Sequence, residues 1–342
     1  MKVIIRTTLL LLAFCQSSFV FSQKAIAVTA VSITVSNLEK EVDFFVQNLD
    51  FKKIKEESFS GEAVSKLYGL TEKTATVRIA TLQLGQEQIR LMDFEGTFAE
   101  RPVPADTRSN DLWFQHLAIV VSDMDAAYQK LLKNKVQHVS TFPETLPDYL
   151  PNAAGIRAFY FRDPEGHNLE LIWFPPGKGN PKWQSRATNQ TSSLFLGIDH
   201  TAIAISDTDR SMAFYRDALG LVWGGHSENF GPEQEHLNQV FGARLDINGL
   251  HADTGFGVEF LRYITPPGGR AIPPDSRATD LSHYQTEFWV DDLPVLLQRI
   301  ERHGFAKDLT STIPFNSADC ILLLDPDGHA VLLKSGQHNT KR

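Results

Sequence analysis

Cysteine is almost missing. The 342-residue chain has two, Cys15 and Cys320. Cys15 lies in the N-terminal apolar segment, and Cys320 sits in an apolar run, Cys320 to Leu324, that reads as a core strand. A disulfide-stapled fold is therefore excluded. A surplus of basic residues is also missing: 33 Lys and Arg stand against 41 Asp and Glu, a formal net charge of -8. A nucleic-acid partner, which needs a basic footprint, is disfavoured. No apolar run is long and continuous enough to read as a membrane-spanning helix. What remains is an ordinary globular balance, 42% hydrophobic and 22% charged, with length enough for two cores.

The N-terminus has the layout of an export signal. Lys2 and Arg6 precede the apolar runs Leu9 to Phe14 and Phe19 to Phe21, and Val20 and Ser22 are small enough for the positions before a cleavage site. Residues 1–22 are expected to be removed, leaving an exported chain, periplasmic or secreted, with no stable membrane insertion. Phe14 before Cys15 argues against a lipoprotein signal.

One stretch poses the chemical question. Phe159 to Phe174 reads as a strand, a tight Asp163-Pro164-Glu165-Gly166 turn and a second strand. Alternation along the second strand sets Leu169, Leu171 and Trp173 on one face and Glu170 with Ile172 and Phe174 on the other. A carboxylate in such an apolar strand is costly unless it is paired or holds a metal.

The chain is built from repeats. Val31 to Asn37, His116 to Asp123, Gly197 to Asp207 and Glu287 to Asp292 each read as a strand with a polar end. Amphipathic helices follow, expected at Leu38 to Asn48, Met124 to Asn134, Thr208 to Gly220 and Leu293 to His303. Shorter strand-like runs complete each unit as roughly β-α-β-β-β. The units also repeat as pairs: Arg101 to Leu112 lines up with Arg270 to Leu281 without a gap, and Asp163 to His167 with Asp325 to His329. Two halves follow, 26–178 (units 26–99 and 111–178) and 196–336 (units 196–268 and 280–336). They are joined by a polar segment, 179–195, that reads as a linker. The sets Asp106/Arg108/Asp111 and Asp275/Arg277/Asp280 are expected to fix the connectors by charge-assisted hydrogen bonds. His167 and His329 read as turn and sheet-end residues.

With His200 to Asp207, Ala213 to Leu221 and Asp163 to Glu170 on the page, the sequence resembles the vicinal oxygen chelate superfamily, which includes glyoxalase I, extradiol dioxygenases and the bleomycin-resistance proteins. The resemblance implies an α+β fold of four tandem βαβββ modules pairing into two cup-shaped mixed sheets. It also implies that each unit offers a ligand position on its first and last strands. These positions are Ala30, His116, His200 and Gln285, and Arg90, Glu170, Glu259 and Leu332. Units two and three keep both ligands; units one and four have lost them. If unit two pairs with unit three, His116, Glu170, His200 and Glu259 meet in one cup.

Two imidazoles and two carboxylates suit a divalent Zn, Ni, Co, Mn or Fe(II) ion. The function expected is that of a glyoxalase-like metalloenzyme, an isomerase or lyase acting on a small molecule with vicinal oxygens. Glu170 or Glu259 would be the general base, as the resemblance to glyoxalase I implies. Two alternatives stand beside it. One is a ring-cleaving extradiol dioxygenase, which would need ligands at His200, Gln285 and Leu332. The other is a metal-free binder using the cup of units one and four, where Arg90 could meet an anion. Tyr149, Trp183, His226 and Phe230 are candidates for pocket walls.

Overall fold

The computed structural model describes residues 24–96, 100–189, 193–305 and 312–336. The segment read as an export signal lies outside them. Among the described residues, no helix is long and apolar enough to cross a membrane.

Each unit opens the same way, for a local reason. A polar residue after the first strand caps the following helix: the side chains of Asn37, Asp123, Asp207 and Asp292 accept from the backbone N–H of Lys40, Ala126, Arg210 and Val295. The helices run Leu38–Leu49, Met124–Lys133, Thr208–Met212 and Leu293–Arg302. The third continues as a π turn over Ala213–Ala218 and ends at Gly220, whose φ of 83° suits the left-handed exit. Phe45, Leu131, Phe214 and Leu296, one from each of these helical segments, belong to one continuous core behind both sheets.

The units do not pair within the two halves of the chain. Units one and four build an eight-stranded sheet, joined by antiparallel pairing of Ala25–Thr34 with Tyr284–Val290. Units two and three build a nine-stranded sheet, joined by Gln115–Val121 with Phe195–Ile205. In both sheets the first strand of each unit pairs in parallel with that unit's last strand. The four first and last strands therefore lie side by side at the centre of each sheet.

The duplicated turns staple one sheet to the other. The His167 ring lies 3.0 Å from the Thr34 carbonyl of unit one and 2.8 Å from the Leu281 carbonyl beside unit four, and 2.6 Å from Asp163. His329 meets the Ala204 carbonyl of unit three at 2.8 Å. Glu165 accepts from Ser36, and Asp327 from Ser206. The aspartates expected to fix the connectors do so, but the arginines differ from expectation. Arg101 reaches Asp275 and Asp280 at 2.9 Å, and Arg270 reaches Asp106 at 3.0 Å and Asp111 at 2.7 Å, so each connector is clasped by the other. Arg108 and Arg277 contribute backbone groups, each donating its N–H to the carboxylate of Asp111 or Asp280 and accepting from that residue's N–H. An arginine ten residues before the last aspartate of its own set reaches across, because its long side chain spans the gap between connectors that a local pair would leave open.

The polar segment 179–195 is also more than a linker. Pro181–Asn189 is a helix, and its Trp183 is 2% exposed.

One buried carboxyl stands out. Glu41, fully buried on the first helix, has no hydrogen-bond partner for either oxygen. Burial, then the charges of Asp163 and Glu165, push its pKa up to about 10. The fold therefore holds Glu41 neutral where the unfolded chain ionises it, and stability falls as pH rises above the ordinary carboxyl range. Glu41→Gln removes that dependence. In urea melts the variant should gain on the wild type by on the order of 2 kcal/mol between about pH 5 and about pH 8; an equal difference at both would contradict a neutral Glu41.

Candidate metal centre

The register of the nine-stranded sheet explains which side chains converge. His200, Ala118 and Glu170 form one row across three strands: His200 pairs with Ala118, and Ala118 with Glu170. His116, Ala202 and Glu259 form the neighbouring row. Residues paired across strands face the same side. Each row thus carries one imidazole, one carboxylate and, between them, nothing longer than a methyl group.

All four sequence-predicted ligands meet on this face. Donor atoms of His116, Glu170 and His200 lie within 4.8 Å of one another. Glu170 Oε2 is 3.0 Å from His116 Nε2 and 3.6 Å from His200 Nε2, and Glu259 Oε1 is 3.6 Å from His200 Nε2. Neither nitrogen of His116 has a hydrogen-bond partner, nor does Nε2 of His200, although these atoms are buried. Buried imidazole nitrogens without partners are costly. Three imidazole nitrogens and the two carboxylates thus crowd together on one buried face. The donor set suits a borderline divalent ion.

The charges point the same way. Burial holds the His116 imidazole below its ordinary pKa, against the pull of Glu170. Burial also acts to lower His200, but Glu259, Asp199 and Glu170 together outweigh it and raise the ring to about 10. Burial raises the Glu259 carboxyl.

A support that the sequence reading left unplaced lies behind His200. The strand register shifts between Ile198 and His200, and there Asp199 Oδ2 comes within 3.0 Å of His200 Nδ1. The Trp183 indole N–H donates to Asp199. The helix bearing Trp183 is anchored in turn by Arg186, 2.8 Å from Glu87 in unit one. Gly197 lets this helix close in: a Cβ there would stand 2.9 Å from the Trp183 ring. With Nδ1 tied to Asp199, Nε2 is the nitrogen left facing the cup. The only signal in the sequence was a tryptophan inside a polar segment.

Above the four side chains is a cavity of ≈ 580 Å³, reached by Glu170, His200 and Glu259 and lined by His226. The exposed rings of Tyr149 and Phe230 lie 5.4 Å apart, and the Tyr149 hydroxyl donates to Glu233 at 2.8 Å. Of the four aromatic and imidazole candidates for pocket walls, only His226 lines the cavity; Tyr149 and Phe230 pair on the surface, and Trp183 is behind His200.

The other cup carries a different set. Its equivalent rows read Gln285, Ser32, Arg90 and Ala30, Glu287, Leu332. Where the first cup has alanine, this one has Ser32 and Glu287. The Glu287 carboxylate takes Arg90, Lys334 and Ser32 as partners. Burial opposes its ionisation, but Arg90 and Lys334 hold it well below the usual carboxylate range. Arg90 is thus committed to Glu287, not free for an anion. A cavity of ≈ 360 Å³ lined by Tyr68, His283, Leu322 and Ala330 opens on the same face. Gln285 and Leu332 stand in a different sheet from His200, so that dioxygenase ligand set does not form, but the pairing of units two and three brings two imidazoles and a carboxylate together at His116, His200 and Glu170.

The glyoxalase/bleomycin resistance protein/dioxygenase superfamily model matches residues 26–171 and 197–333. The chain belongs to that superfamily. Among curated superfamily-like relatives, a 2-epi-5-epi-valiolone epimerase of Actinomyces sp is 34% identical over 156 residues, 45% of this chain and 82% of that protein. The lactoylglutathione lyase-like protein terB of Aspergillus terreus is 31% identical over 150 residues, 40% of this chain and 74% of that one. Glyoxalase I from Zea mays shares the fold, with a TM-score of 0.58 at 15% identity and 92% of each chain covered.

Asp199→Ala should weaken cobalt binding by roughly 10–100-fold in a direct titration, as loss of a ligand's orienting partner does. Gln285→Ala should leave it unchanged. Equal affinities for wild type and Asp199→Ala would remove Asp199 from the site.

Proposed function

We propose that this chain is a metal-dependent isomerase or lyase that moves a proton on a small molecule with vicinal oxygens. The observation that carries the reading is the pair of rows on one sheet face, two imidazoles and two carboxylates, with both nitrogens of His116 and Nε2 of His200 buried without hydrogen-bond partners. His116, Glu170, His200 and Glu259 would hold a divalent cation of the Zn, Ni, Co, Mn or Fe(II) group. When bound, the cation supplies Lewis-acid polarisation of a substrate oxygen.

The chain's own residues supply the rest. Glu259 and Glu170 stand on the strands flanking the two histidine strands, so they approach a molecule in the cup from opposite sides. The Glu259 side chain is 27% exposed, against 6% for Glu170, which lies against both histidines. Glu259 is therefore the freer carboxylate and takes the proton from the carbon beside the polarised carbonyl. Inversion needs Glu170 to enter the cycle protonated and give its proton to the opposite face of that carbon while Glu259 keeps the one it took; return of the proton by Glu259 to the neighbouring carbon, with the hydroxyl proton passing to the former carbonyl oxygen, isomerises the molecule. The relatives named an epimerase and a lactoylglutathione lyase-like protein support this reaction class. The basic start and apolar run of residues 1–22 support export ahead of the mature chain.

Elemental analysis of the purified chain should find about one equivalent of a divalent transition ion. His116→Ala and Glu259→Ala should each lose most of it. Full metal retention by both variants would contradict the shared site.

A further inference from the structure

The charges lining the cavity restrict what enters it. Its ionised or ionisable lining groups are Glu170, Glu259, His200 and His226, and no Lys or Arg lines it among the described residues. His226 Nε2 is already 2.8 Å from Asp246. In the adjoining cleft, Lys182 is committed to Glu87 at 3.2 Å. A bound divalent ion would at most cancel the two glutamates. A carboxylate or phosphate away from the reacting oxygens would find no cation and would face two carboxylates in a partly dry cup.

The walls differ in character. Leu146, Ile156 and Phe174 line one part of the cavity, and Ser227, Asn229 and Gln234 another. These last three are linked as neutral hydrogen-bonding groups, Ser227 to Asn229 at 2.6 Å and Asn229 to Gln234 at 3.0 Å. Room for a ligand is left beside Glu259. Gly249 pairs with Glu259 on the adjacent strand and Gly225 pairs with Gly249 on the next. A Cβ on either glycine would meet nothing within 4 Å, so no neighbour fills the space their missing side chains leave.

We infer that the substrate is an uncharged, hydroxylated ketone, one face apolar and one bearing hydroxyls, and that Gly249 sets the space for it beside Glu259. Charged carriers such as a glutathione conjugate or a phosphate ester are excluded. This rests on the proposed centre at His116, Glu170, His200 and Glu259 for the position of the reacting oxygens. The charge argument holds with or without the ion.

The test is calorimetric binding to the full chain, as purified and cobalt-loaded, of three probes: a polyhydroxylated cyclohexanone, its monophosphate ester and S-hexylglutathione. The neutral ketone should bind at least ~10-fold more tightly than either anion in both preparations. Gly249→Leu should weaken the ketone by at least ~10-fold with cobalt content unchanged. Tight binding of either anion, or binding of none of the three, would overturn the inference, as would full ketone affinity in Gly249→Leu. Failure of the wild type to take up cobalt, with the ketone still preferred, would strike the metal centre and leave the neutral-substrate reading standing.

Discussion

Two carboxylates and two imidazoles held on the face of a buried sheet must be neutralised, and the central part of the molecule is arranged around that requirement. An isolated buried carboxylate costs several kcal/mol after relaxation, far more than a single hydrogen bond returns. The nine-stranded sheet sets the four groups in two adjacent rows with only Ala118 and Ala202 between them. Such a face tolerates either protons or a cation at its centre. The tie from Trp183 through Asp199 to His200 fixes which imidazole nitrogen is offered.

The eight-stranded sheet solves the same problem by the opposite means. Glu287 stands where Ala202 stands in the other row, and its charge is met internally by Arg90 and Lys334. One fold, duplicated, therefore carries a floor of four donor groups in one sheet and an internally neutralised ion cluster in the other. The crossed clasps of Arg101 and Arg270, with His167 and His329 bonded to carbonyls of other units, hold the two sheets in register.

Much of this was legible in the residues. The four-unit repeat and its helices followed from recurring strand ends and amphipathic spacing, and the meeting of units two and three from the His and Glu surviving at positions the family resemblance implies. The rest was hidden for physical reasons. Pro181 to Asn189 has linker composition, and its helix is stable because Trp183 buries its ring and Arg186 meets Glu87, contacts to residues distant in sequence. Arg101 and Arg270 were masked by the nearer Arg108 and Arg277, since a local pairing cannot be told from a crossed one without knowing which connectors are adjacent. Glu287 looked like one more strand residue; its importance comes from standing in the row that unit three fills with Ala202.

The chain is a member of a superfamily whose fold serves several chemistries, so the reaction has to be argued from its site. An open cup floored by four donors, with a freer carboxylate on one flank and no cation for a remote anion, fits proton transfer on a neutral oxygenated molecule. The most direct test is anomalous diffraction at the cobalt edge from crystals grown with cobalt. A single strong peak among the side chains of His116, Glu170, His200 and Glu259, with none near Gln285 and Glu287, is the result expected. A peak elsewhere, or no peak with the four side chains hydrogen-bonded to one another, would contradict it.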